Sequence, residues 1–250
     1  MARTVGSSTT KQEILQVASK MFMELGYSNT YPRLIAEELG IRVSNITYYF
    51  RTKEHLLLAV VEMLCDFQYQ MLEAEANTDY STVGAICLET MTVAVACDES
   101  EIARDLFINA FQGELCRNYL RHNHVERAKK ILVKECAGRT DEEFHEAELL
   151  VMGLQYAAII PTDANIPLKT RLAGALNQIL SIYNVDEETR KREIETVLSK
   201  DCRGISKRVL SAFTEYIEKT SHDALVEAEE KLKSKRQKRR NTKPVSEVAI

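Results

Sequence analysis

Nine glycines and four prolines are the only strong breakers in 250 residues, and that scarcity constrains the fold more than any other feature. A sandwich or barrel needs many turns, each drawing on such residues, and no repeated alternation of strand-like and helix-like segments appears. The stretches between the breakers are rich in Glu, Lys, Leu and Ala and place apolar residues three and four apart. The chain is expected to be all-α. Its length allows one or two domains with a sizeable core. No uninterrupted apolar run approaches the roughly 18 residues needed to span a bilayer, and Met1 to Lys11 lacks the apolar stretch of a secretory signal, so a cytoplasmic location is expected.

Charge is spread unevenly. Residues 1–56 hold 7 basic and 5 acidic side chains, 57–230 hold 18 and 31, and 231–250 hold 8 and 1. The acidic middle cannot lie on nucleic acid, whereas the two ends can. Six cysteines, at 65, 87, 97, 116, 136 and 202, include no pair close enough for a metal knuckle or redox motif, and buried reduced thiols are expected. The five histidines form no helical pair at three or four spacing. No phosphate-cradling glycine loop, metal spacing or nucleophile with a base is found, so neither an enzyme nor a cofactor is expected.

The periodicity predicts a series of helices. The first opens at Thr10 with Glu13 in a capping box, carries Ile14, Ala18, Phe22 and Leu25, and closes at Gly26. A short second begins near Thr30 with Pro32 in its first turn, buries Ile35, Ala36 and Leu39, and ends at Gly40. A third spans Val43 to Phe50, and a fourth starts at Thr52 and carries Leu56, Val60, Met63, Phe67 and Met71. Longer helices follow over 80–96, 102–115, 118–137, a segment opened by a second capping box at Thr140 and Glu143 and running to Ile160, 168–183, 187–199, 205–219 and 223 onward.

Residues 32–50 carry the informative pattern. Two short helices can cross steeply only if a small side chain sits at their contact, here Ala36. The turn between them wants a residue tolerant of positive φ, here Gly40, and a branched plug, Ile46, fills the crevice from the second helix. These are the elements of a helix-turn-helix. Its second helix then turns Val43, Ser44, Thr47 and Tyr48 away from Ile46 and Phe50, a mixture suited to base edges and phosphates.

From Thr10 to about Val60 the chain resembles the amino-terminal domain of TetR-family (tetracycline-repressor-like) transcription regulators. The resemblance rests on Leu25-Gly26-Tyr27, Thr30, Ile35-Ala36, Gly40-Ile41, Ile46, Tyr48-Tyr49-Phe50, and Lys53-Glu54 with Leu56. It implies a ligand-responsive, sequence-specific DNA-binding regulator, most often a repressor, with residues 1–52 as the helix-turn-helix domain, 53–230 as a larger helical effector-binding and dimerisation domain, and 231–250 as a basic tail. Carried over by position, it implies DNA contacts from Thr30, Tyr31, Arg42, Val43, Ser44, Thr47, Tyr48, Tyr49 and Lys53. A helix amino terminus bearing a hydroxyl or ammonium attracts an anion, which agrees for Thr30 and Lys53. Two readings stay open for Tyr49, phosphate contact or a ring packed under helix 1, and two for Arg42, guanine reader or solvated turn residue. Three positions depart from the family's habit: Thr47 where Tyr is common, Arg42 where a capping Ser is common, and His55 where Glu is common.

One recognition helix reads few bases, so a two-fold homodimer presenting two of them to a double-stranded operator is expected. The best dimer candidates are Glu143 to Ile160, with Ala147, Gly153, Ala157 and Ala158, and Leu168 to Tyr183, with Ala173, Gly174 and Ala175. The resemblance also implies a small-molecule effector pocket, for which Cys87, Thr90, Met91, Asn109, Gln112, Tyr119, Gln155 and Tyr156 are candidate lining groups, since they interrupt otherwise apolar helices. Lys231 to Lys243 holds eight basic residues in 13 and is read either as a solubilising segment or as a sequence-independent attraction to DNA. The alternative to this whole reading is an all-helical adaptor or scaffold without DNA binding, which leaves the pattern from Ala36 to Phe50 unexplained.

Overall fold

The computed structural model describes residues 7–75, 81–160 and 165–220. These form α1 (Ser7–Leu25), α2 (Pro32–Leu39), α3 (Val43–Tyr49), α4 (Lys53–Glu75), α5 (Thr82–Glu99), α6 (Glu101–Gln112), α7 (Glu114–Ile131), α8 (Asp141–Ile159), α9 (Leu168–Ile182) and α10 (Glu187–Leu198), and α11 (202–220). No strand occurs among the described residues. The all-α expectation holds. The predicted helix from 223 onward and the basic tail lie outside the described residues.

Both predicted capping boxes have the same spacing, but only one caps. At α8, Thr140 Oγ1 accepts the Glu143 N–H at 3.3 Å, and the Glu143 carboxylate accepts the Thr140 N–H at 2.7 Å. Upstream, Gly138 stands at φ +82° and breaks the chain, leaving Thr140 at a true helix start. Thr10 instead lies inside α1, which begins at Ser7, so the predicted box there is corrected. A second correction concerns the segment 102–137. The chain turns at Gly113, which ends α6 and caps α7, so α6 closes at Gln112 and α7 opens four residues before the predicted start at 118. Ser100 plays the same double part between α5 and α6, its Oγ accepting the Ala103 N–H at 3.2 Å.

Three apolar clusters hold the molecule. In the first, Ile14, Ala18 and Phe22 of α1 meet Ile35, Ala36, Ile46 and Phe50, then Leu56, Leu57 and Val60 of α4, and the same cluster continues into Leu106, Ala110, Cys116 and Leu120 of α6 and α7. The short helix-turn-helix unit thus borrows apolar surface from the larger part, as a unit of about 50 residues, marginal alone, requires. The second cluster is centred on α5, twelve of whose eighteen residues are buried, between α8, α9 and α10. The third joins Met63 and Phe67 of α4 to Phe213 and Ile217 of α11, and Ser206 Oγ fastens α11 to α5 by donating to the Thr92 carbonyl at 2.9 Å. No helix among the described residues is long and apolar enough to cross a membrane.

Candidate nucleic-acid interface and effector cavity

The crossing of α2 and α3 forms as the sequence dictates. Gly40 caps α2 at φ +62°, ψ +31°, with its N–H on the Ala36 and Glu37 carbonyls, a left-handed turn that glycine enters without steric cost. Ala36 and Ile46 are buried at the contact. Ile46 is the single buried residue of α3, which leaves Val43, Ser44, Thr47 and Tyr48 exposed, Tyr48 at 79%. Arg42 is the N-cap of α3, extended and exposed, without a side-chain cap bond; a capping serine there would add about 1 kcal/mol. Thr47 Oγ1 donates back to the Ser44 carbonyl at 3.2 Å. The ring of Tyr49 is half-buried against the α1 cluster, edge-on to Tyr48 at 4.9 Å.

Lys53, the first residue of α4, is held rather than free. Its Nζ lies 4.2 Å from the Tyr27 ring centroid and 5.0 Å from that of Tyr31, and donates to the Ser28 carbonyl at 3.4 Å. The burial this entails pulls its pKa below the ordinary lysine value. Tyr31 is the extended N-cap of α2 and is exposed. His55 answers its departure from the family's habit locally, since its Nδ1 lies 2.8 Å from Thr52 Oγ1 at the start of α4.

Thr30 is placed otherwise than expected. It is fully buried and its Oγ1 donates to the Gly26 carbonyl at 2.8 Å, so its hydroxyl satisfies the frayed carboxyl end of α1 and is not offered to a phosphate. Asn45 and Arg51 share this surface and were not among the expected residues. Both are exposed, Asn45 one turn before Tyr48 and Tyr49 on α3 and Arg51 just past its end. A step of three and four back from those tyrosines would have found Asn45.

Two carboxylates brace the junction of this unit with the larger part. Asp105 of α6 accepts the Ser28 N–H at 2.7 Å and the Ser28 hydroxyl, beside Gly26, whose φ is +86° and where a Cβ would stand 2.9 Å from Asp105 Oδ2. Glu54 of α4 accepts the Leu115 N–H at 2.8 Å, at the amino end of α7.

A largely apolar cavity of about 230 Å³ opens between α1, α4, α5, α6, α7, α8 and α11. Thr90 and Gln155 of the predicted effector residues line it; the other six do not. Cys87 and Met91 are fully buried core residues. Asn109 donates to the Asp105 carbonyl at 2.8 Å, Gln112 donates to the Tyr156 hydroxyl at 3.0 Å, and Tyr119 is half-buried in the α1 cluster, where burial pushes its hydroxyl up to about 12. Missed by the sequence reading were Glu89 and His124, both at the cavity wall. Glu89 pairs with Arg127. His124 Nδ1 lies 2.8 Å from Glu148, a fully buried carboxylate that also accepts the Tyr183 hydroxyl at 2.7 Å.

Known proteins bear on the first of these two sites. Residues 14–60 match the family described as bacterial regulatory proteins, tetR family. The HTH-type transcriptional regulator RutR of Escherichia coli strain K12 is 33% identical over 84 residues, 34% of this chain and 39% of that protein. The HTH-type transcriptional dual regulator CecR of Shigella flexneri is 36% identical over 66 residues, 26% of this chain and 29% of that one. The chain thus spans well under half the length of these relatives. Among solved structures, a gamma-butyrolactone receptor (ArpA-like protein) aligns over 82% of this chain and 98% of its own at a TM-score of 0.42 and 17% identity. The TetR family protein CprB from S. coelicolor A3(2) aligns over 80% and 97% at 0.39 and 20%. With its helix-turn-helix in place and residues 14–60 matched, the amino-terminal unit of this chain is similar to that of the bacterial regulatory proteins of the tetR family.

Proposed function

We propose that the protein is a ligand-responsive, sequence-specific DNA-binding transcriptional regulator, most simply a repressor released from its operator when a small molecule fills the cavity. The observation that carries this reading is the face of α3. Val43, Ser44, Asn45, Thr47 and Tyr48 stand exposed on a seven-residue helix fixed from behind by Ile46, with Arg42 exposed at its N-cap, and such a face, useless to the fold, has the width and chemistry of a major-groove reader. Lys53 and Arg51 flank it as backbone anchors, and the acidic surface of the remaining chain turns DNA toward this end.

The active species is a homodimer. Leu149, Leu150, Gly153 and Ala157 form one exposed stripe of α8, and Gly174 is exposed on α9, the helix packed against α8; apolar and small groups of this kind let two copies approach closely. Ala147 and Ala158, expected on the same face, are buried within the protomer, which narrows the dimer stripe. The effector acts through the two carboxylate clasps. A shift of α6 or α7 on ligand entry moves Ser28 and α4 together, and a coupling of about 1–3 kcal/mol weakens operator affinity roughly 5- to 150-fold.

The test is a gel shift of the chain on DNA from its own upstream region. Ser44→Ala with Tyr48→Ala should abolish the specific complex while leaving the circular dichroism spectrum and melting temperature unchanged. Full-strength specific binding by that folded double variant would dismiss the reading.

A further inference from the structure

The cavity's polar groups carry information about what it binds, given the regulator reading above on which this step rests. Nearly all of its wall is hydrocarbon, from Leu57, Val60 and Phe67 of α4 to Phe107 of α6. Four of the polar groups in that wall are engaged elsewhere. Thr92 Oγ1 donates to the Leu88 carbonyl and Ser100 Oγ caps α6. Glu89 is satisfied by Arg127. His124 Nδ1 is occupied by Glu148, so only the far side of its ring is left. Thr90 and Gln68 also line it, but Gln155 differs from every other lining group: its carbonyl oxygen is buried with no hydrogen-bond partner among the described residues. An orphaned buried acceptor is a standing cost that native folds rarely keep without a use.

An amide can present either end, so the charges behind it set the sign. Glu148 and Gln155 are seven residues apart, on one face of α8, and Glu89 lines the wall from α5. Glu89 stands in this wall paired with Arg127, the one permanent cation here, and Glu148 stands behind it against His124. The local field therefore favours a donor or a positive charge and opposes an anion.

We propose that the cavity takes a compact, mainly apolar molecule that ends in a single hydrogen-bond donor, a primary amine or a hydroxyl, seated on the Gln155 carbonyl with its hydrocarbon against α4 and α6, and that carboxylates of the same size are refused. The volume is that of about eight water molecules at their liquid share of space, so the ligand has roughly ten non-hydrogen atoms.

Isothermal calorimetry on the full chain, without DNA, tests this with four probes of matched size: octylamine, 1-octanol, its isomer dibutyl ether, which accepts but cannot donate, and octanoate. Octylamine and 1-octanol should bind about two- to tenfold more tightly than dibutyl ether, the range of one net hydrogen bond, and octanoate should bind weakest. Gln155→Leu should erase the preference of 1-octanol over dibutyl ether and raise the melting temperature of the empty protein, because the orphaned acceptor is gone. Equal affinity for the two isomers, octanoate binding as tightly as the amine, or no binding of any probe would each overturn the proposal. The isomer comparison needs no variant. Since no DNA is present, loss of this proposal leaves the gel-shift result standing, and loss of operator binding leaves the calorimetry standing.

Discussion

The helices α3 and α5 are held by opposite means. α3 has seven residues, one buried side chain and no side-chain cap; α5 has eighteen residues, twelve of them buried, and Ser81 accepting the Gly84 N–H at its start. A helix as short as α3 is unstable by itself, so its conformation is imposed by α1 and α2 through Ile46, and its remaining surface stays free for a partner. α5 is covered on nearly every side, and its polar groups are consumed internally or turned into the cavity. Recognition of something outside the molecule concentrates stability in one contact, whereas enclosure of something inside spreads it over many.

The widest gap between the two should appear at alkaline pH. Burial raises the thiols of Cys65, Cys87, Cys97 and Cys116 from about 9 to about 12, and α5 carries two of the four while α3 carries none. A raised folded value means that the unfolded chain loses its proton first. The stabilisation is complete below about pH 9 and drains away as the pH climbs toward 12, at up to roughly 1 kcal/mol per thiol per pH unit. Urea unfolding at pH 8, 9.5 and 10.5 should show a steep fall, made shallower by Cys87→Ala with Cys97→Ala. A flat profile would mean that these thiols are not sealed in the core.

The next effect belongs to α3. Ile46→Ala should lower stability by about 2–5 kcal/mol, the range for a buried aliphatic side chain cut to a methyl, and should remove DNA binding with it. A loss under about 1 kcal/mol would show that α3 is supported elsewhere.

Smaller again is the clasp between the regions. Asp105→Ala removes the partner of the exposed Ser28 N–H and hydroxyl, for about 0.5–1.5 kcal/mol, and should also blunt the response of DNA binding to a cavity ligand. An unaltered response in the folded variant would route the coupling through Glu54 and α7 alone.

The same contrast explains what was legible beforehand. The turn at Gly40, the plug at Ile46 and the outward face of α3 follow from a local rule, because a small residue, a left-handed turn and a helical period fix their own geometry. Thr30 obeyed a different local rule than the expected one: it stands where an N-cap would, but Tyr31 takes that position and the nearer unsatisfied group is the Gly26 carbonyl. The cavity could not be read this way. A polar residue in an apolar helix looks alike whether it faces the core, as Cys87 and Met91 do, or a hollow, as Thr90 and Gln155 do. His124 sits in a strongly charged helix, where nothing in its neighbours betrays that Glu148 waits fully buried across the interface.

The smallest effect on stability should come from Tyr48, and it is the sharpest test of the contrast. At 79% exposure it contributes little packing beyond the edge of Tyr49, so Tyr48→Ala should change the unfolding free energy by no more than about 0.5 kcal/mol. Its ring nevertheless projects from the end of α3 where a phosphate or base step would pass, so the variant should bind the operator at least several-fold more weakly, as read in a titrated gel shift at fixed salt. If stability fell by 2 kcal/mol while binding of the folded fraction stayed the same, the exposed face of α3 would be serving the fold, and the division of labour between α3 and α5 would have to be drawn elsewhere.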